Sequence, residues 1–418
     1  MQALPGFRDF LPGDCAVRNY IFARWREVSR RYGFVEYDGP ILEDLELFKK
    51  KSGQEIAKQL YDFTDKGGRA VALRPEMTPT LARMVAAAHR DFRKPMKWFS
   101  VPQMFRYERP QRGRLREHYQ YNADIIGEAS VDADVELIAV CVDVLRSFGF
   151  TADDVVVRIS DREFWIDFLR VQNVPEDRWQ QTLEIIDKSE REPREKTAER
   201  LGPLANAVFD VFDGGGKSEK LDALVAGLQQ RGLADFAKID LRIVRGLAYY
   251  TGVVFEAFDR GGKLRAIAGG GRYDNLVAQL SDNAASLPAV GFAMGDVVLG
   301  ELLRENATAR EKMEAAVKRG EQLDVYAVIA KEDRRGDALR HVQAMRDAGY
   351  RVDYPLAATK VGKQFQTAEQ LGAIFAVLFG DEWPQVKIKD LRTREEQLVP
   401  REELLAHLAL SSSFPSRS

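Results

Sequence analysis

Cysteine is nearly absent: Cys15 and Cys141 stand alone and far apart in a chain of 418 residues. That argues against a disulfide framework or a cysteine-built zinc site. Histidine is scarce as well. His89, His118, His341 and His407 are scattered without metal-ligand spacing, so no protein-built metal centre is expected. No apolar run is long enough to span a bilayer, and the opening Met1-Gln-Ala-Leu-Pro-Gly6 lacks the basic-then-apolar order of a secretion signal. A cytoplasmic protein without a membrane partner is expected. Neither sign of charge dominates: 62 Lys+Arg against 64 Asp+Glu leave a formal charge of -2, which still permits a local basic face for nucleic acid. What is present is 45% apolar and 30% charged residues, the composition of a globular chain with room for two or three domains.

Periodicity predicts a helix from an N-cap at Asp14 to Tyr32, with Ile21, Trp25 and Val28 on one face and Gly33 ending it. Residues 34–43 read as a strand halted by Gly39-Pro40, and 61–73 as a hairpin turning at Lys66-Gly67-Gly68. Residues 132–149 form an amphipathic helix stopped by Gly149. A sheet domain is expected over 1–160 and 241–310, interrupted at 161–240 by charged helical segments that read as an insertion. A charged linker over 311–320 leads to strand–helix alternation over 321–410, which predicts a small α/β domain with a parallel sheet. Residues 411–418 read as a disordered tail.

Three stretches carry chemistry. Residues 106–117 hold five arginines against only Glu108 and Glu117, in a loop with a proline and a glycine between strands at 97–105 and 117–126. Such a hairpin is a solvated loop or a holder of polyanions, and its cation density favours the second. Residues 243–256 carry Arg245-Gly246 near their start, pass Tyr249 and Tyr250, and alternate like a half-buried strand. They form a core strand, or a pocket wall with one fixed cation and two phenols. Gly269-Gly270-Gly271, at a strand end, lets a ligand or helix approach the backbone and lacks the spacing of a dinucleotide fingerprint.

Taken together, Leu4-Pro-Gly-Phe-Arg-Asp-Phe-Leu-Pro12, Leu73-Arg-Pro-Glu-Met-Thr78, Phe105-Arg-Tyr-Glu-Arg-Pro-Gln-Arg-Gly-Arg114, Arg245-Gly-Leu-Ala-Tyr-Tyr250 and Gly269-Gly-Gly-Arg-Tyr-Asp274 resemble, in order, the motifs of class II aminoacyl-tRNA synthetases. Within that class the chain resembles the histidyl-tRNA synthetase family over nearly its whole length. The resemblance implies an α+β fold: an antiparallel sheet core flanked by helices, a helical insertion, and a C-terminal α/β anticodon-binding domain. Pro40 matches a motif that helps build a homodimer interface. The implied reaction is ATP-dependent activation of L-histidine to histidyl-adenylate and transfer to histidine tRNA, with Mg²⁺ bridging the outer phosphates.

The resemblance also implies roles. Arg106 and Arg245 match the two catalytic cations flanking the α-phosphate, and Arg106, Glu108, Arg109 and Arg114 match the ATP-embracing loop. Glu76 and Thr78 match positions at the α-amino group of histidine, with Met77 between them. Asp124 matches an acid at one ring nitrogen and Tyr250 a phenol at the other. Gln120, Tyr249, Arg106 and Arg245 complete the histidine-binding set, and period two puts Gln120 and Asp124 on one strand face. Three positions depart from the pattern: Ala248 replaces a common aspartate, Met77 a common glycine, and Val298 an arginine that stacks on adenine. Adenine must then be held differently. The alternative is a non-catalytic paralogue resembling the regulatory subunit of ATP phosphoribosyltransferase. Retention of both arginines, the ring-facing residues and a full C-terminal domain favours the synthetase.

Overall fold

A computed structural model describes residues 2–49, 59–245 and 249–410. It divides into two units, Met1–Met313 and Glu314–Ser418. In the first, a nine-stranded sheet runs in the order β1 (Val35–Glu36), β5 (Met96–Ser100), β7 (Glu117–Ile126), β12 (Ala289–Gly295), β11 (Ala268–Arg272), β10 (Val253–Asp259), β8 (Val155–Asp161), β9 (Ala237–Ile239). β6 (Gln103–Phe105) pairs with β7 as well. From β5 to β8 every pairing is antiparallel. The short edge strands β1 and β9 are parallel to their neighbours. A separate three-stranded sheet orders β2 (Leu42–Asp44), β4 (Ala70–Leu73) and β3 (Tyr61–Thr64). With its flanking helices this is the α+β core expected of a class II synthetase.

Strand β7 shows how the sheet sorts its two faces. Tyr121, Ala123 and Ile125 are buried on one side, where Tyr121 stacks on Trp25 of helix Pro12–Arg31 and its hydroxyl meets Ser29 Oγ at 2.8 Å. Gln120, Asn122 and Asp124 point to the opposite side and line a cavity. Two-residue alternation thus separates core from site within one strand. The helix Val131–Phe148 is buried along most of its length and ends at Gly149, whose φ of 105° only glycine adopts without strain. Its Asp134 receives Arg272 Nη2 at 2.7 Å, so the arginine of the Gly-Gly-Gly-Arg-Tyr-Asp motif anchors β11 to this helix.

Several expectations need correction. The first helix starts at Pro12 with Leu11 at its N-cap, and Asp14 lies within the first turn. Proline suits that start because its missing N–H would have no helical partner. The expected strand over 34–43 is split between the two sheets, and the one over 97–105 breaks at Val101-Pro102, since proline cannot donate to a ladder. Among the described residues between Ile243 and Glu256, Val253 onward is strand, and Gly269–Gly271 lie inside β11 instead of at its end. The stretch read as a charged linker is helical, within Ala307–Glu321. Residues 246–248, with the departure at Ala248, and the tail 411–418 lie outside the described residues.

In the second unit the sheet order is β14 (Val352–Asp353), β13 (Val325–Ile329), β15 (Phe375–Phe379), β16 (Gln385–Asp390), β17 (Glu396–Pro400). The first three are parallel, as the alternation predicts, but β16 and β17 are antiparallel additions, so the sheet is mixed. Helices Arg335–Asp347 and Val361–Gln370 accompany the sheet. Gln364 of the latter bonds both Ile329 N and Ile329 O at 2.8 Å, satisfying a buried strand end.

Candidate active site

The polar face of β7 opens into a cavity of about 430 Å³. Its floor is Gln120, Asn122 and Asp124; β11 and β12 reach it through Gly269 and Gly291. Asp124 pairs across the ladder with Gly291, where any side chain would collide with the carboxylate. The same holds at Gly269, where a Cβ would meet the Arg245 guanidinium. Both glycines therefore make room for a charged neighbour.

At one end the cavity is lined with acids and phenols. Asp124 is buried, and Tyr273 donates to its Oδ1 at 2.5 Å. Burial pushes this carboxyl up to about 7, partly opposed by the Tyr273 hydrogen bond. Tyr249 donates to Glu76 Oε2 at 3.1 Å, and its ring lies 5.0 Å from that of Tyr250. Thr78 starts the helix Thr78–Ala88 beside Glu76, so both reach the cavity from one chain turn. Apolar surroundings with anionic and phenolic partners suit a small cation that also carries ring or amide donors.

The other end is cationic. Arg106 follows β6 and lends Nε to Pro75 O at 2.9 Å, which orients the guanidinium toward the cavity. Arg245 lines the same cavity, where Nη1 donates to Glu256 Oε1 at 3.0 Å and Cζ lies 5.5 Å from the Tyr250 ring centre. Its φ is 58°, a left-handed conformation that costs a residue with a side chain about 1–2 kcal/mol. Arg114 pairs with the buried Glu108, and Arg191 and Arg265 add two more cations. Among the described residues no salt bridge is formed by Arg106, Arg191 or Arg265. Such a cluster is built for an anion of several charges.

Glu76, Thr78, Arg106, Glu108, Arg114, Gln120, Asp124, Arg245, Tyr249 and Tyr250 thus share one cavity. Met77 and Arg109 do not line it. Met77 is buried and packs toward Gly39, whereas Arg109 is exposed on the loop. Of the other loop arginines, Arg112 pairs with Glu301 and Glu305, and Arg116 sits 4.3 Å over the Tyr107 ring. A run of arginines is therefore only partly a binding loop. Sequence reasoning missed Tyr273, Glu256, Asp187, Arg191, Arg265 and His118. Tyr273 was legible as the tyrosine after the glycine run, at period two from the glycines it follows. His118, which burial and then Arg106 and Arg8 lower to about 3 and so keep neutral, lies two residues before Gln120 on the same face of β7.

The chain matches the histidyl-tRNA synthetase family over residues 6–213 and 195–296. The chain belongs to the histidyl-tRNA synthetase family. Residues 324–409 match the anticodon binding domain. The histidine--tRNA ligase of Opitutus terrae is 47% identical, with 97% of each chain covered. The chloroplastic/mitochondrial histidine--tRNA ligase of Arabidopsis thaliana is 39% identical over 96% of this chain and 85% of its own. The crystal structure of histidyl-tRNA synthetase from Nostoc sp. PCC 7120 has the same fold, with a TM-score of 0.78, 24% identity and 98% of both chains covered. The regulatory-subunit reading is not favoured, because family and anticodon-domain matches together span nearly the whole synthetase.

Members of this family use ATP, and a divalent metal is typical of the class. Among the described residues no group of three acids or histidines could cage an ion. Each carboxylate of the cavity has a protein partner, Asp124 in Tyr273, Glu76 in Tyr249, Glu256 in Arg245 and Asp187 in the Arg245 backbone N–H, and Arg114 meets Glu108 through Oε2, so that Glu108 can offer its other oxygen. This fits Mg²⁺, which commonly takes one or two carboxylates and completes its shell with substrate phosphates and water.

Proposed function

We propose that this chain activates L-histidine with ATP and transfers the histidyl group to histidine tRNA. The observation that carries the reading is a single cavity with an acid-and-phenol end, led by Asp124 and Glu76, continuous with a cationic end holding Arg106 and Arg245. Histidine's ammonium is matched by Glu76 and its ring N–H by Asp124, whose acceptor orientation Tyr273 fixes; Tyr250 serves the second ring nitrogen and Gln120 closes the floor. An analogue without ring nitrogens would leave buried polar groups unpaired, which is a strong basis for rejection.

The histidine carboxylate oxygen attacks the α-phosphorus, and the bond to the bridging oxygen of the leaving pyrophosphate breaks. Arg106 and Arg245 offset negative charge on the α-phosphate oxygens, while Arg114, Arg191 and Arg265 face the outer phosphates. Glu108 would give Mg²⁺ one oxygen ligand; the ion would neutralise the outer phosphates. With Val298 in place of a stacking arginine, neutral His118, Leu115 and Val298 supply an uncharged cover for adenine. The terminal ribose hydroxyl of tRNA then attacks the carbonyl carbon and AMP leaves. The second unit is the anticodon reader.

The protein works as a cytoplasmic homodimer in this reading. Val35, Ile41 and Leu42, on either side of Pro40, are exposed apolar residues that a partner subunit would cover. Charging of histidine tRNA with labelled histidine tests the function. Stable histidyl-tRNA in an ATP-dependent assay is expected, and a folded protein that charges no tRNA would reject the reading.

A further inference from the structure

The conformation of Arg245 is held from outside the sheet domain. Its backbone N donates to Asp187 Oδ1 at 2.8 Å, and its carbonyl accepts from Arg162 Nη1 at 3.1 Å. Both partners belong to the helical segment between β8 and β9: Arg162 opens helix Arg162–Val171 and Asp187 lies near the end of helix Glu176–Lys188. Arg162 also holds Gly252, just before β10, since its backbone N donates to Gly252 O at 3.0 Å. Its Nη2 reaches Gln180 Oε1 at 3.2 Å, tying it to the helix that carries Asp187. Arg245 and Gly252 are thereby both gripped by one insertion.

The grip has a purpose that packing alone does not supply. A left-handed backbone at a residue with a side chain persists only where its surroundings over-determine it. At Arg245 that backbone aims the guanidinium across Gly269, into the space a Cβ there would take, toward Glu256 and the cavity. Loosening the peptide would let it relax to an ordinary conformation and swing the cation away. We propose that Asp187 and Arg162 are positioning residues that clamp the Arg245 peptide, so that the insertion sets the placement of the cation. The proposal rests on the reading of Arg245 as a cation of the reaction.

Single-turnover histidyl-adenylate formation by the full chain tests it, with Arg245→Ala alongside. Asp187→Ala should lower the rate constant at saturating substrate about 30–100-fold, as misplacement of a reacting group by about 1 Å does, with KM for histidine within about threefold of the parent. Asp187→Asn keeps the acceptor oxygen and should recover to within about fivefold. Arg162→Gln keeps the backbone bond to Gly252 but withdraws the guanidinium, and should lose about tenfold or more. In an Arg245→Ala background, Asp187→Ala should add nothing, because it acts through Arg245. Equal loss in Asp187→Ala and Asp187→Asn, or a full effect persisting without Arg245, would overturn the clamp. So would an Asp187→Ala chain that fails to fold while Arg162→Gln is fully active. Full activity of Arg245→Ala would instead remove the reading on which the clamp rests, and full activity of Asp187→Ala beside an inactive Arg245→Ala would remove the clamp alone.

Discussion

Asp124 is where stability and recognition oppose each other. A carboxyl held up at about 7 by burial binds a proton in the folded chain that the unfolded chain has released. Folding stability at this residue is therefore greatest below the unfolded value near 3.8 and declines as pH rises through about 7. At about 1.4 kcal/mol per pH unit, keeping the carboxylate ionised at pH 8 costs the fold up to ~4 kcal/mol. Asp124→Asn, which can still accept from Tyr273, should raise the thermal midpoint at pH 8 and have little effect at pH 4. The same substitution should lower kcat/KM for histidine about a hundredfold. In the parent, kcat/KM should fall toward tenfold per pH unit below 7, after allowance for the ring of free histidine near about 6.5, and this break should vanish in Asp124→Asn. A pH profile identical in both proteins would show that Asp124 is not the group being titrated.

Among the elements, β11 is the most demanding. Arg272 fastens its core face to Asp134, and Gly269 leaves space on the other face for a guanidinium. Gly269→Ala should therefore cut adenylate formation a hundredfold or more without changing the circular dichroism spectrum, because the added methyl displaces Arg245 and not the core. Retained activity would mean that the arginine has another route into the cavity. The glycine run was legible in the sequence as a place of close approach, yet nothing local said that an arginine, and not a ligand, makes the approach. The cation hairpin was legible in the same partial way. Its strands followed from alternation, whereas the division of labour among Arg106, Arg109, Arg112, Arg114 and Arg116 depends on acids at Glu301 and Glu305, far off in the chain. Asp187 and Arg162 carried no signal at all, since each is one charged residue in a polar helical segment until folding brings it to Arg245.

At the scale of the molecule, the class of fold was legible from motif order and from the switch between two-residue and helical periods. The edges were not. β1 was read as part of one longer strand, β9 is too short to declare itself, and β17 and the antiparallel half of the second sheet lie beyond what strand–helix alternation implies. The short edge strand β1, with Val35 64% exposed, also bears on assembly. If this surface joins two subunits, Val35→Asp combined with Leu42→Asp should convert a dimer to monomers in sedimentation velocity, while each monomer keeps its secondary structure. A sedimentation coefficient unchanged by both charges would place the contact elsewhere.

In the proposed reaction one cavity binds histidine at its acidic end and ATP at its cationic end, and joins them. Exchange of labelled pyrophosphate into ATP measures this step without tRNA. The expected result is exchange that requires histidine and falls by several orders of magnitude in Arg106→Ala and in Arg245→Ala, with the fold of both variants intact. Exchange that proceeds without histidine, or that survives loss of either arginine undiminished, would contradict it.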